Sequence, residues 1–208
     1  MRSLAWLATL GLMGASEVVT FDNASVGRLP AGWSVAATHS GAAPVWEVVH
    51  DPSAPTAPYV LAQVSQDPAS TRFPLAIFDK LSLADADISV RIKPVSGVED
   101  QAGGIVWRYR DHDNYYLVRA NALARDVVVY RVVNGQRSPM IAPVKHNIAT
   151  NTWSILKVTA RGPRFAIYVN HRRICQGSDS TFSGAGKVGL WTEADSVTYF
   201  DDFRVYPR

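Results

Sequence analysis

Cysteine is nearly absent. Cys175 is the only one in 208 residues, so no intramolecular disulfide can form and the fold has to rest on its core. Thiol catalysis lacks support as well, because only His171 stands near Cys175 in sequence and no further residue completes a Cys/His arrangement. No H-x-x-x-H and no paired cysteines occur, which removes the usual zinc spacings. No G-x-S-x-G elbow occurs, and His39, His50, His112, His146 and His171 fall in loops or turns or alone on a strand, so a Ser/His/Asp triad has no support. The net charge is +3, but the arginines are scattered, without the basic run that tracks a nucleic-acid backbone. Helical spacing is missing too: outside the N-terminus, no stretch repeats apolar residues every three to four positions over three turns.

What is present is the composition of an ordinary globular chain, with 47% hydrophobic and 19% charged residues. The N-terminus reads MRSLAWLATLGLMGASE: one Arg, an apolar run over residues 4–13, then small residues. That is the layout of a secretory signal peptide, and the run is too short to span a bilayer. Residues 1–16 are read as a signal peptide and residues 17–208 as one exported domain, with no stable membrane insertion; an apolar segment packed on the domain is the other reading.

The mature chain reads as strands throughout. Phe21-Asp22-Asn23 opens it as a short edge element, and prolines at 44, 52, 55, 58, 68 and 74 exclude helix over residues 41–74, leaving strands near 45–49 and 59–64. Residues 85–93 alternate polar and apolar, as a strand with one buried face should. Residues 102–133, AGGIVWRYRDHDNYYLVRANALARDVVVYRVV, give three strands broken by DHDN and NALARD. Asn134-Gly135 predicts a turn, and Arg161-Gly162-Pro163-Arg164 predicts a hairpin between residues 153–160 and 165–169. With the two closing strands the count is ten to twelve, which predicts an all-β, two-sheet antiparallel jelly-roll sandwich.

Strict alternation assigns faces. It sets Ile105, Trp107 and Tyr109 opposite Val106, Arg108 and Arg110, and Tyr116, Val118 and Ala120 opposite Tyr115, Leu117 and Arg119. One face is apolar. The other mixes arginines and tyrosines, a combination suited to sugar rings and their vicinal hydroxyls. The plainer alternative is that Tyr115 and Trp191 pack beneath loops while the arginines pair with Asp111, Asp113 or Asp126.

Three pieces, GGIVWRYRDHDNYYLVRAN, WSILKVTARG and TFSGAGKVGLWTEADSVTYFDDFRV, resemble the concanavalin A-like lectin/glucanase superfamily. Within it they are most similar to bacterial exported domains of the 3-keto-disaccharide hydrolase-like and laminin-G-like kinds, over residues 21–206. The resemblance implies two curved antiparallel sheets with an oligo- or polysaccharide on the concave face. It directs Tyr116, Val118, Ala120, Val188 and Leu190 to the core, and Arg108, Tyr115, Arg119, Trp191 and Glu193 to the ligand. It also implies a structural Ca²⁺ held by Asp201 with help from Asp22, while Asp202 is expected on the opposite face.

The reaction, if any, stays open. Laminarinase-like members carry E-x-D-x-E on one strand, which is absent here; the only glutamates are Glu17, Glu47, Glu99 and Glu193. Glu193 is the only one of these glutamates with an acidic residue two positions away, Asp195, against the simpler reading of Asp195 as a loop cap. Carbohydrate recognition leads, with glycoside hydrolysis of the 3-keto-disaccharide type and a non-catalytic protein-interaction or envelope module as alternatives. Which glycan is bound, the oligomeric state and the role of Cys175 are not legible.

Overall fold

A computed structural model describes residues 15–208, so all but the last two residues of the expected signal peptide lie outside the described residues. Sixteen strands follow one another among the described residues: β1 (Glu17–Val19), β2 (Trp33–Thr38), β3 (Trp46–His50), β4 (Tyr59–Gln63), β5 (Phe73–Leu83), β6 (Ala86–Ser96), β7 (Ala102–Asp111), β8 (Asn114–Asn121), β9 (Asp126–Val133), β10 (Gln136–Pro139), β11 (Val144–Lys145), β12 (Ser154–Arg161), β13 (Arg164–Val169), β14 (Arg172–Ser178), β15 (Gly186–Thr192) and β16 (Val197–Pro207). They form two antiparallel sheets of eight. Sheet A runs β14-β13-β12-β6-β16-β4-β3 with β1 beside β16, and sheet B runs β10-β9-β8-β7-β15-β5-β2 with β11 beside β9. No helix among the described residues is long and apolar enough to cross a membrane.

The sandwich expectation holds, with more strands than alternation reveals. Phe73 to Phe78 of β5 is buried at every position, so the strand shows no polar face by which to recognise it. Pro74 is tolerated there opposite Ala37 of the edge strand β2. The two turns are built as read. Asn134 and Gly135 both have positive φ (49° and 77°), as a two-residue hairpin needs, and Gly162 (51°) turns β12 into β13. Residues 21–23 form a turn rather than a strand, while β1 begins four residues earlier and pairs with β16.

The inter-sheet core contains Trp107, Tyr116, Val118 and Ala120 of sheet B, together with Ile88, Val90, Phe200 and Phe203 of sheet A. A second apolar cluster, including Leu75, Val106, Tyr115, Leu117 and Trp191, lies on the outer face of sheet B. Both faces of that sheet are therefore apolar.

Two of the bulges bear on the expected site residues. In β7, register slips between Trp107 and Asp111, and on the β15 side the four residues from Val106 to Tyr109 oppose the three from Gly189 to Lys187. Arg108 takes a φ of 50° there, and Tyr109 joins the outer cluster with Val106 instead of the core with Trp107. Gly186 admits this bulge, because a Cβ on it would lie 2.5 Å from the Arg108 carbonyl carbon. Arg108 is consequently not a ligand-face residue. It is 3% exposed, donating to the carbonyls of Ala84 (2.8 Å), Phe182 (2.6 Å) and Gly162 (2.5 Å) and to Asp85 (3.2 Å).

In β16, the four residues from Asp201 to Arg204 oppose the three from Arg91 to Ser89 of β6. Asp202, φ 52°, occupies the extra position, so Phe200 and Phe203 both reach the core and Asp202 turns outward beside Arg204. Asp201 and Asp202 thus share the outer side of sheet A, which corrects their assignment to opposite faces.

Arg108, itself buried, closes the end of the sandwich by donating to the buried Phe182 carbonyl and to the carbonyls of Ala84 and Gly162 at the surface. Arg108→Ala is expected to lower the unfolding free energy by about 1–3 kcal/mol in urea titration, since the buried Phe182 carbonyl loses its donor. An unchanged midpoint would show that those carbonyls find other partners.

Candidate functional site

The outer face of sheet B is an apolar floor under a charged layer. Across the middle of the sheet one row runs Leu75, Trp191, Gly104, Arg119, Val128 on strands β5, β15, β7, β8 and β9. Gly104 is the low point of that row, and a Cβ there would meet the Val118 carbonyl oxygen at 2.4 Å. Trp191 and Tyr115 lie in this floor, both 0% exposed. They are on the face expected of them but are sealed, so neither offers a ring for stacking. Tyr115 hydrogen-bonds Thr38 (2.7 Å), and burial raises its phenol pKa.

Above the floor, Arg119 bridges Glu193 (3.2 Å) and Asp126 (2.9 Å), and Arg137 of β10 reaches the other Glu193 oxygen at 2.7 Å. The Arg137 guanidinium lies 4.4 Å from the Phe73 ring centre, 4.7 Å from Tyr130 and 5.7 Å from Trp191, so it is the lid that covers Trp191. Tyr130 remains half-buried beside both arginines. Arg119 and Glu193 thus lie on one face, where both were expected, and pair with each other. The Asp126 pair is the one the plainer reading of the arginines allowed, while Arg137 and Tyr130 join unforeseen, because only the pairing of β10 with β9 carries Arg137 over the row.

Two loops position the acids. Glu193 follows β15 in a turn with Ala194 at a φ of 49°. Arg72, fully buried, holds that turn by donating to the Ala194 carbonyl (2.9 Å), while the Ala194 amide donates to the Arg72 carbonyl (3.0 Å). Asp195 accepts from the amides of Val98 (2.6 Å), Glu99 (3.1 Å) and Asp100 (3.1 Å). Burial works against its charge, but these amides outweigh it and hold its carboxyl below the usual range. Asp195 is therefore a loop cap, not the acid of a Glu193 pair.

The capped loop delivers Asp100 instead. Asp100 accepts from the Asn121 side chain, whose own oxygen caps the next turn through the amides of Leu123 and Ala124. Burial, and then the nearby Glu193 charge, push the Asp100 carboxyl up to about 6, against the pull of Asn121, Arg119 and Arg137. Arg119 is the converse case: burial acts to lower its guanidinium pKa, and Tyr130, Glu193 and Asp126 more than reverse that.

The layer is incompletely satisfied. Arg119 Nε and Arg137 Nη1 are buried without a hydrogen-bond partner. Native interiors rarely leave such donors idle. Converging donors, carboxylate acceptors and a tyrosine edge form a set able to meet several hydroxyls at once.

The expected calcium pair sits elsewhere. The Asp201 oxygens accept from the Thr56 amide (2.7 Å), the Thr56 hydroxyl (2.6 Å) and the Asp202 amide (2.6 Å), while Asp22 accepts from the Tyr59 amide (3.3 Å). Among the described residues no three His, Cys, Asp or Glu side chains gather as metal ligands. With its oxygens bound to protein donors, and its carboxyl pKa raised by burial, Asp201 does not fit a calcium cage as arranged. Burial likewise pushes the Cys175 thiol up to about 11, so it stays protonated at neutral pH.

No protein-family model matches the chain. A segment of 107 residues, 51% of the chain, is 34% identical to levanase of Bacillus subtilis (strain 168) and spans 15% of that protein's length. Among solved structures, the carbohydrate binding module CBM66 from Bacillus subtilis is 25% identical with a TM-score of 0.65, over 84% of this chain and 95% of that one. The cellulose induced protein Cip1 shares the fold with a TM-score of 0.68 at 11% identity, over 94% of this chain and 98% of its own. Two eight-stranded sheets in this order, with structural neighbours of these kinds, give the chain the concanavalin A-like jelly-roll fold that its strand motifs led one to expect.

Proposed function

We propose that this chain is a carbohydrate-binding module that holds its ligand on the outer face of sheet B, through Arg119, Arg137, Glu193, Asp126, Asp100 and the edge of Tyr130. The observation that carries this reading is the pair of unpartnered arginine donors set among three carboxylates above a sealed apolar floor. A sugar presents alternating hydroxyl donors and acceptors at the spacing such a set requires, and it needs no reacting group from the protein. Recognition here is by hydrogen bonds more than by stacking, since Arg137 occupies the faces of Phe73 and Trp191.

The likeness to a carbohydrate binding module over most of both chains supports the ligand class, and the levanase segment supports a fructan as the first polysaccharide to test. Export fits an N-terminal apolar run over residues 4–13, ahead of β1 at Glu17. A second reading has one observation in its favour: Asp100, its carboxyl pushed up to about 6, lies near the Glu193 carboxylate, and two neighbouring carboxyl groups are what a glycoside-cleaving acid and base require.

Affinity electrophoresis on levan, inulin, arabinan, xylan and cellulose, with reducing sugar assayed alongside, tests both. Retention on levan or inulin without release is expected, and Arg137→Ala should weaken it about tenfold, the worth of a charge-assisted hydrogen bond, while unfolding stays cooperative. Retention on none of the five would overturn the binding proposal. Release that disappears in Asp100→Asn and in Glu193→Gln would favour the enzyme.

Ligand binding should also depend on pH. A sugar hydroxyl donates best to an ionised carboxylate, so with Asp100 titrating near 6 retention should strengthen from pH 5 to pH 7. Asp100→Asn is expected to flatten that rise. An identical profile in the variant would remove Asp100 from the site.

A further inference from the structure

The outer side of sheet A carries a feature that sugar binding on sheet B does not use. Beside the β16 bulge lies a groove of about 230 Å³ lined by Ser89, Arg91, Ile155, His171, Asp202 and Arg204. The bulge creates it. By turning Asp202 outward next to Arg204, the extra residue sets one carboxylate between two guanidinium groups, with Arg204 Nε donating to Asp202 at 2.7 Å.

One acid is too few for the cations around it. Arg91 Nε lies 3.5 Å from Asp202 yet is buried without a hydrogen bond. Asp202 orients both arginines through their Nε sides, leaving their terminal NH₂ groups for an outside acceptor, the geometry by which guanidinium groups clamp planar or tetrahedral oxyanions. His171, exposed at the groove, adds a further donor.

The excess extends along the sheet. Lys157 lies opposite Ser89, and with Arg161 and Arg208 it converges on a single acid, Asp87, at 3.4, 2.6 and 2.9 Å. Five cations share two carboxylates in these two clusters, a local excess of three positive charges. A local positive excess along one sheet face gives an anionic chain a surface to follow as well as a point to anchor.

We propose that the groove between Arg91, Arg204 and His171 is an oxyanion site for a sulfate, phosphate or carboxylate group carried on an anionic polymer, which continues across Lys157, Arg161 and Arg208. It lies on the opposite sheet from the sugar site and does not depend on it.

Binding to dextran sulfate, polyphosphate and polygalacturonate at low salt, with neutral dextran as control, tests the site and distinguishes sulfate, phosphate and carboxylate as its preferred group. At least one anionic polymer should bind and neutral dextran should not. R91Q/R204Q should lose about tenfold in affinity, whereas R125Q/K145Q, which removes equal charge elsewhere, should change it less than about twofold, and Arg137→Ala should leave it unchanged. Equal losses in the two double variants would reduce the effect to general charge and overturn the site, as would failure of every anionic polymer to bind. Should R91Q/R204Q fail to fold, R91K/R204K decides: a loss despite conserved charge supports the guanidinium clamp, and unchanged affinity overturns it.

Discussion

Sheet B has to bury apolar residues on two faces while only one of them meets another sheet. The inner face packs against sheet A in the ordinary manner of a sandwich. The outer face, with Tyr115, Leu117 and Trp191 at 0% exposure, is covered by side chains and loops rather than by a third layer. Arg137 lies over Phe73, Tyr130 and Trp191, and Glu193 in turn holds Arg137. The charged layer exists because the floor needs a cover, and it can bind because a cover of long side chains leaves donors unfilled.

Such a layer is an inefficient source of stability. Taking arginine and carboxylate groups out of water costs about as much as their attraction returns, and a network with idle donors returns less. The supports beneath it are more complete. Arg72 and Asp195, both buried, spend their polar atoms on backbone groups of the loops that carry Glu193 and Asp100. Incomplete satisfaction is therefore concentrated on the face where an external ligand could supply the missing partners, and the raised Asp100 carboxyl belongs to the same unfilled region.

The two sheets use charge differently. On sheet B three acids surround two arginines, a set with both donors and acceptors suited to a neutral, hydroxyl-rich ligand. On sheet A five cations surround two acids. Each arrangement follows from a local departure: the loop after β15 for Glu193, the β16 bulge for Asp202.

Much of this was legible in the sequence. Polar–apolar alternation in β6, β8 and β12 defined strands and faces, the Asn134-Gly135 and Gly162 turns defined hairpins, and the placement of Arg119 on the outer face followed from the same parity, that of Glu193 from the family resemblance. Alternation fails where its premise fails. β5 is buried on both faces and has no polar phase to read; Arg108 and Asp202 sit at bulges, where one inserted residue reverses every assignment beyond it. Trp191 and Tyr115 were placed on the correct side, yet whether they are open or sealed depends on Arg137, fifty-four and twenty-two residues away in sequence. Sequence alone determined the all-β sandwich and the faces of its regular strands, because those depend on a two-residue period. Tertiary structure decided which charged groups meet, which aromatic rings are covered and which donors are left over, because these depend on strand order, bulges and loop contacts between residues distant in the chain.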